Sequence, residues 1–194
     1  MSADTVERAA RQDSAGAPGP DRGRVRGRVW KFGDDVDTDV MAPWNAISLP
    51  WEERRTSVLH IRPGFAERVQ AGDLIVAGRN WGCGSSREQA PENLALLGVA
   101  GVVAESFGRI YFRNGVAIAL PHLACPGIHA ACEEGDEIEL DVATGRVANL
   151  TRGVALQGQP WTEPMLEVLE HGGLLEALKA RLEARGGTHS QVRD

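Results

Sequence analysis

A glycine-rich segment at residues 78–88 carries the side chains best suited to chemistry. It reads Gly-Arg-Asn-Trp-Gly-Cys-Gly-Ser-Ser-Arg-Glu and presents Ser85, Ser86 and Arg87 together. Glycines let a backbone approach a ligand closely, and an arginine can bind a carboxylate through two hydrogen bonds. Ser85 and Glu88 have the spacing of a capping box, which predicts a helix that begins at Ser85. The segment is therefore typical of an anion site, although a well-capped helix alone would explain the same residues.

A second candidate, the acidic turn Asp35-x-Asp37-x-Asp39, resembles a calcium-binding loop only superficially. The position that needs glycine is Val40, and the position of the closing glutamate is Ala46. A calcium site is therefore excluded. A solvated turn held by its own aspartates remains open.

Other polar residues are weaker candidates. Arg109, Arg113 and Asn114 follow an apolar run and could face a cleft or lie on an exposed helix face. His122 and His129 are isolated from the other histidines, so we expect surface or packing roles for both.

The elements that must position these residues follow from the pattern of apolar runs. A buried strand, the glycine-rich loop, a helix and another buried strand form a βαβ unit, which predicts a parallel crossover. Pro91 predicts a kink or a second helix start near Ala90. The predicted strands and helices cover residues 25–32, 64–70, 73–77, 85–97, 99–104, 107–117, 137–142, 146–150, 163–170 and 174–182.

Composition limits the classes of protein to consider. The chain has 194 residues and a net charge of −6, which argues against a nucleic-acid surface. The three cysteines form no Cys-x-x-Cys pair, and no apolar run could span a membrane, so we expect a cytoplasmic protein. We expect one domain over residues 24–183, with a disordered leader at 1–23 and a disordered tail at 184–194.

Three motifs in order carry a resemblance to a known family. They are Gly-Asp-Asp-Val-Asp-Thr-Asp at residues 33–39, Asn-Trp-Gly-Cys-Gly-Ser-Ser-Arg-Glu at 80–88 and Ser-Phe-Gly-Arg-Ile-Tyr-Phe-Arg-Asn at 106–114. Together they resemble the aconitase swivelling domain, which is a separate chain in two-subunit members such as isopropylmalate dehydratases. The resemblance spans residues 27–182 and implies an α/β fold of three layers, the swivelling β/β/α domain.

The resemblance also implies roles for particular residues. Ser85 corresponds to the base that removes a proton from the carbon beside a carboxylate, while Ser86 and Arg87 correspond to substrate-carboxylate ligands. The family's substrate-recognition loop falls on Asn45, Ile47 and Ser48. It also implies an active-site wall of neighbouring residues: Asp37, Thr38, Asp39, Gly82, Cys83 and Gly84.

This chain departs from the family pattern at two places. The recognition loop lacks the usual tyrosine–leucine core and also the arginine of homoaconitase-like members. Gln89 stands where a histidine is usual, and glutamine cannot titrate.

The function implied is that of a small subunit that binds no cofactor itself and acts with a large subunit carrying a [4Fe-4S] cluster. The expected reaction isomerises a 2-substituted malate by dehydration and rehydration, with 2-isopropylmalate to 3-isopropylmalate in leucine biosynthesis as the default. Homocitrate, dimethylmalate and citramalate are alternative substrates on the same scaffold. A non-catalytic module that binds anions or RNA is the more distant alternative.

Overall fold

The computed structural model describes residues 23–187, with side chains described as far as residue 184. The described strands are β1 Arg24–Lys31, β2 Leu74–Ala77, β3 Gly101–Ala104, β4 His122–Ala124, β5 Glu137–Asp141, β6 Arg146–Asn149 and β7 Val154–Gln157. The described helices are α1 Thr38–Met41, α2 Trp51–Arg54, α3 Phe65–Arg68, α4 Gln89–Leu96, α5 Arg109–Ala117, α6 Ile128–Ala131, α7 Glu163–Glu170 and α8 Leu174–Gly187. A 3-10 turn, Arg55–Ser57, follows α2.

The strands form one mixed sheet in the order β4-β3-β2-β1-β5-β6-β7. Strands β1 to β4 are parallel, whereas β5 pairs antiparallel with β1 and is followed by the antiparallel strands β6 and β7. Strands β2, β3 and β4 are short and largely buried on both faces, as expected where a parallel sheet is covered on each side.

Two hydrophobic clusters occupy the two faces of the sheet. In β2, Ile75 and Ala77 belong to one cluster while Leu74 and Val76 belong to the other, because successive side chains point to opposite faces. The first cluster is completed by helices α1, α3, α4 and α5. The second contains inward side chains of β5 and β6 together with α6 and α7.

The antiparallel half curls over the parallel half. The side chain of Leu140 in β5 lies next to Gly101 in β3, although two strands separate them in the sheet. Beyond β7, the Gln159 backbone N–H donates to the Ala124 carbonyl at the end of β4, 3.0 Å away. The two edges of the sheet therefore approach each other, which gives two β layers and a helical layer and confirms the predicted three-layer α/β fold.

Most of the predicted elements are confirmed, including the βαβ crossover between β2 and β3 and the β5–β6 hairpin. Strand β7 was not predicted. It is four residues long and mostly exposed, so it lacks both a buried apolar run and a clear alternation. The predicted helix at residues 85–97 begins instead at Gln89, which agrees with the second start expected near Ala90.

The proposed leader and tail lie outside the described residues except for Gly23 and residues 184–187, and the last four complete helix α8. Their disorder stays a prediction. Among the helices of residues 23–187, none is both long and apolar enough to cross a membrane.

Asp73 joins β2 to β1 through a nearly buried carboxylate. Its Oδ2 accepts hydrogen bonds from Trp30 Nε1 at 2.7 Å, from Arg28 at 2.8 Å and from the Gln70 backbone at 3.0 Å. Burial by itself raises the pKa of the Asp73 carboxyl, but the hydrogen bonds from Arg28, Gln70 and Trp30 outweigh it and hold the pKa below its usual value. The charged form of Asp73 therefore stabilises the fold.

Replacing this carboxylate tests its contribution. We expect Asp73→Asn to lower the free energy of unfolding by about 2 kcal/mol at neutral pH, because the charge-assisted hydrogen bonds are lost. The folded pKa lies below the unfolded value of about 3.9, so the stabilisation is present above pH ~4 and disappears as pH falls through the folded pKa. Urea denaturation at several pH values measures both effects.

The control is Glu67→Gln, which removes an exposed carboxylate from α3. We expect it to change the free energy of unfolding by less than about 0.5 kcal/mol. A difference between Asp73→Asn and the wild type that stayed constant down to strongly acidic pH would contradict the role of the charge.

Candidate active site

The glycine-rich segment follows β2 and lies beside the chain that follows β3. The Asn80 backbone N–H donates to Ser106 Oγ at 2.9 Å, and that of Trp81 donates to the Ser106 carbonyl at 3.0 Å. The Gly108 N–H donates in turn to the Trp81 carbonyl at 2.8 Å. The second and third sequence motifs therefore meet at the carboxyl ends of parallel strands, where α/β sheets bind their ligands.

The acidic turn after β1 lies on the other side of the same segment. Backbone hydrogen bonds run from Gly82 to the Val36 carbonyl at 2.8 Å and from Thr38 to the Cys83 carbonyl at 2.9 Å. Asp34 accepts from the Arg79 backbone at 2.7 Å and from its guanidinium at 2.9 Å. These backbone and side-chain hydrogen bonds lower the pKa of Asp34. All three motifs are thus brought together, with the glycine-rich segment in the middle.

Gly82 explains why this segment needs glycine. Its φ is +72°, and a Cβ built there would lie 2.2 Å from Cγ of Tyr111. The Tyr111 ring packs edge-on against Trp81, with centroids 6.4 Å apart, and both side chains are fully buried. The segment therefore rests directly on a rigid aromatic surface.

Ser85 is exposed at the end of this segment. Its Oγ accepts a hydrogen bond from Arg87 Nε at 3.0 Å and lies 3.4 Å from Asp39 Oδ1, which is long for a hydrogen bond between oxygens. Its carbonyl accepts from Thr38 Oγ1 at 2.9 Å. The hydroxyl is therefore fixed by contacts on two sides and is still open to a ligand.

Arg87 uses all three of its guanidinium nitrogens. In addition to the Nε contact with Ser85, NH2 forms an ion pair with Asp39 Oδ1 at 2.7 Å, and NH1 donates to the Ala42 carbonyl. The Arg87 side chain is 15% exposed, whereas that of Asp39 is 62% exposed. A cation held in place at the rim of the segment is suited to binding a carboxylate.

Helix α1 presents Asp39 to this cation. Asp37 caps the helix, since its Oδ1 accepts from the backbone N–H groups of Asp39 at 2.8 Å and Val40 at 3.1 Å. At the other end, the fully buried Asn93 of α4 donates to the Met41 carbonyl at 2.9 Å. Asn93 was not singled out from the sequence, although an amide on the buried face of a helix is a signal for a specific polar contact.

The capping-box prediction for Ser85 is wrong. The N-cap position of α4 is Glu88, no side chain caps it, and Ser85 lies three residues outside. Pro91 lies in the first turn of α4, where its missing N–H costs nothing. The Ser85 side chain instead contacts Arg87 and Asp39, so the positive charge beside it comes from a guanidinium and not from a helix start.

The remaining predicted site residues lie around this centre. Ser86 is exposed beside Ser85. Cys83 and Gly84 belong to the glycine-rich segment and lie next to the acidic turn. Cys83 is partly buried; burial, with the nearby charges of Asp37 and Asp35, raises the pKa of its thiol.

The predicted recognition loop, residues 44–49, is separated by Pro43 from Ala42, the residue whose carbonyl binds Arg87. Asn45 and Ser48 are exposed and Ile47 is half-buried, with its carbonyl 3.5 Å from Arg54 NH1. The loop is therefore tied to the Ser85 centre through the backbone of Ala42.

Three weaker candidates have other surroundings. Arg109 and Arg113 are exposed on α5. His122 is fully buried among aromatic rings, and burial lowers its pKa to about 4, as expected for a packing residue.

A family model for the aconitase C-terminal domain matches residues 59–125. An isopropylmalate/citramalate isomerase small subunit from Methanocaldococcus jannaschii is 45% identical over 163 residues, which cover 83% of this chain and 97% of the relative. The chain belongs to the small-subunit family of aconitase-type hydro-lyases.

Other members of this family differ in the substrates that their names give. A methanogen homoaconitase small subunit from Methanothermobacter thermautotrophicus is 45% identical and covers 79% of this chain and 89% of the relative. A 2,3-dimethylmalate dehydratase small subunit from Eubacterium barkeri is 42% identical and covers 81% of this chain and 98% of the relative.

A solved structure supports the same assignment. The crystal structure of 3-isopropylmalate dehydratase from M. jannaschii matches with a TM-score of 0.78 and 32% identity, covering 85% of this chain and 99% of that one. The aconitase-type fold expected from the three motifs is confirmed.

Gly82 and Gly84 provide a matched test of how the glycine-rich segment packs on Tyr111. We expect Gly82→Ala to lower the free energy of unfolding by about 3 kcal/mol or more, because its Cβ would overlap the Tyr111 ring. Gly84 also has a positive φ, +92°, but a Cβ there would lie 3.4 Å from Thr38 Oγ1, an ordinary contact. We therefore expect Gly84→Ala to cost only about 1 kcal/mol of backbone strain. Equal losses for the two variants in urea denaturation would show that the Tyr111 contact is unimportant.

Proposed function

We propose that this chain acts with an iron–sulfur large subunit to isomerise a 2-substituted malate, with 2-isopropylmalate as the preferred substrate. The observation that carries the proposal is the exposed Ser85 hydroxyl held beside the Arg87 guanidinium. The names of the relatives add the reaction class, since they include isopropylmalate, citramalate, homoaconitase and dimethylmalate enzymes.

Ser85 is the proposed proton acceptor. The reaction removes a proton from the carbon beside a carboxylate and a hydroxyl from the neighbouring carbon, and water then adds back in the opposite sense. A serine oxygen that accepts this proton must carry negative charge, which the adjacent guanidinium of Arg87 favours. The exposed position of Ser85 leaves its Oγ accessible to a substrate carbon.

Arg87 and Ser86 are the proposed ligands of a substrate carboxylate. A guanidinium presents two parallel N–H donors to a carboxylate, and the NH1 contact with the Ala42 carbonyl fixes the plane of the group. In this arrangement Asn45, Ile47 and Ser48 lie on the loop that would contact the substituent at C2. The half-buried Ile47 is the apolar member of that set, which suits an alkyl substituent.

The departing hydroxyl needs a Lewis acid, which a [4Fe-4S] cluster of the large subunit would supply. The cysteines of this chain do not fit such a cluster. Cys125 and Cys132 are fully buried in the second hydrophobic cluster, whereas Cys83 lies outside it in the glycine-rich segment. Within the described residues, no three His, Cys, Asp or Glu side chains are grouped so that they could hold a metal ion. The proposal therefore assigns the cluster to the partner.

The same proposal locates the enzyme in the cytoplasm. All three cysteines of the chain lie within the described region and are unpaired, and two of them are fully buried. Unpaired cysteines are typical of proteins that stay in a reducing compartment.

Reconstitution tests the whole assignment. The chain would be co-expressed with an iron–sulfur large subunit, purified without oxygen and assayed for dehydration of 2-isopropylmalate by the ultraviolet absorbance of the unsaturated product. We expect activity only when both chains are present. A stable complex that turned over citramalate, dimethylmalate or homocitrate but not 2-isopropylmalate would retain the reaction class and reject the preferred substrate. Failure of the two chains to associate would reject the proposal.

Ser85→Ala tests the role of the hydroxyl. We expect kcat of the reconstituted enzyme to fall at least about 100-fold, because a positioned base contributes this much or more to proton transfer. Ser57→Ala makes the same change on the 3-10 turn, where the hydroxyl donates to the Arg54 carbonyl, and should leave kcat within about twofold. Near-normal kcat in Ser85→Ala, with the subunits still associated, would remove Ser85 from the mechanism.

A further inference from the structure

The carboxylate-binding edge of Arg87 is occupied by the protein itself. A guanidinium binds a carboxylate side-on through neighbouring N–H groups. The Nε and NH2 atoms form such an edge, and here they contact Ser85 Oγ at 3.0 Å and Asp39 Oδ1 at 2.7 Å. The third nitrogen, NH1, is engaged with the backbone of Ala42. A substrate carboxylate can therefore reach this edge only by replacing one of these contacts.

The two partners of the ion pair differ in how firmly they are held. Arg87 is mostly buried and anchored to the Ala42 carbonyl, so its guanidinium has little room to turn away. The Asp39 side chain is 62% exposed. Its partners are Arg87 and, through a long contact of 3.4 Å, the Ser85 hydroxyl. An ion pair with an exposed carboxylate is weakened, because water competes for that carboxylate. Asp39 is therefore the group that can leave.

Release of the Asp39 carboxylate does not require the backbone to move. The helix that carries it is held independently, since Asp37 caps its first turn and Asn93 binds the Met41 carbonyl at its end. A change of side-chain rotamer moves the Asp39 carboxylate into solvent while the Asp39 backbone N–H stays bonded to Asp37. The exchange is thus local to one side chain.

We propose that Asp39 is a positioning residue that occupies the carboxylate-binding edge of Arg87 in the unliganded chain and is displaced by a carboxylate of the substrate. The carboxylate-binding role of Arg87 is taken from the proposed function. In the unliganded chain, the Asp39 carboxylate contacts both the Arg87 guanidinium and the Ser85 hydroxyl and keeps them next to each other. When a dicarboxylate arrives, one of its carboxylates takes over the NH2 contact, and Asp39 turns towards solvent. No covalent bond changes in this step.

This exchange has a measurable consequence for affinity. When a ligand must displace an internal competitor, its apparent dissociation constant is the intrinsic constant divided by the fraction of molecules in which the site is free. Removing the charge of Asp39 should therefore tighten the binding of a dicarboxylate. Loss of an ion pair with an exposed partner should change the dissociation constant of the dicarboxylate by about threefold to fivefold.

The test uses malonate as the probe and the full-length chain labelled with 15N. The Nε–H signal of Arg87 and the backbone amide signals of residues 84–88 are followed by NMR during a malonate titration. We expect Asp39→Asn to bind malonate about threefold to fivefold more tightly than the wild type. Unchanged amide signals in the rest of the chain show that the variant is folded.

The matched control is Asp35→Asn. Asp35 is exposed in the same acidic turn and accepts a hydrogen bond from Asn80 Nδ2 at 2.8 Å, which an asparagine oxygen can also accept. Its φ of +55° is tolerated by asparagine. This variant removes the same charge without touching Arg87, so its dissociation constant should stay within about 1.5-fold of that of the wild type.

The outcomes separate the inference from the proposed function. Equal affinity in Asp39→Asn and wild type, with the Arg87 signal shifting in both, would overturn the displacement and leave the carboxylate role of Arg87 intact. Weaker binding in Asp39→Asn would also overturn it, since Asp39 would then support the ligand. Equal tightening in Asp35→Asn would trace the effect to net charge alone. No shift of the Arg87 signal in either chain would overturn both proposals.

Discussion

The close approach of the Gly82 backbone to the Tyr111 ring is the constraint on which the site depends. The glycine-rich segment packs directly on the buried rings of Trp81 and Tyr111, and no space is left for a side chain at position 82. From there the chain has only two residues before Ser85, so the position of the hydroxyl is largely set by the packing beneath it. The acidic turn and the segment after β3 then fix the backbone of the same segment from both sides. Ser85 and Arg87 lie on a loop, but this loop is hydrogen-bonded along both edges in the way a strand is.

The sequence pattern was sufficient to predict the βαβ unit because β2 and β3 are short, continuous apolar runs. Such runs specify burial on both faces, and the two clusters on opposite faces of β2 show that outcome. The three-layer arrangement was predicted through the resemblance to a family. Strand β7 escaped prediction because it is exposed and lies at the edge, where burial imposes no pattern. The three motifs predicted the Ser85 centre through their resemblance to a family. The pattern of residue types alone left an anion site and a simple helix cap equally open.

Local rules failed where tertiary contacts decide the geometry. Ser85 and Glu88 have the spacing of a capping box, yet the Ser85 side chain is drawn to Arg87 and the Ser85 carbonyl to Thr38. The contact between Arg87 and the Ala42 carbonyl spans 45 residues and involves a backbone acceptor, which every residue possesses. No residue type at position 42 could have signalled it. The same holds for Asn93, whose partner is again a carbonyl at the end of α1.

The attachment of the recognition loop has a consequence for how this scaffold can diversify. The loop, residues 44–49, follows Ala42 and Pro43, and the Ala42 carbonyl binds Arg87. Trp44, Asn45 and Ser48 are exposed, Trp44 to 79%. The loop sequence contributes little to either hydrophobic cluster, so substitutions there cost the fold little stability. Among the described residues, the contact that links this part of the chain to Arg87 is made by the Ala42 backbone carbonyl, and a carbonyl is unchanged by mutation of its own residue. Under the proposed function, chemistry and selectivity can therefore be inherited separately: one lineage can exchange the loop for a new acid while the serine, the arginine and their support pass unaltered to its descendants.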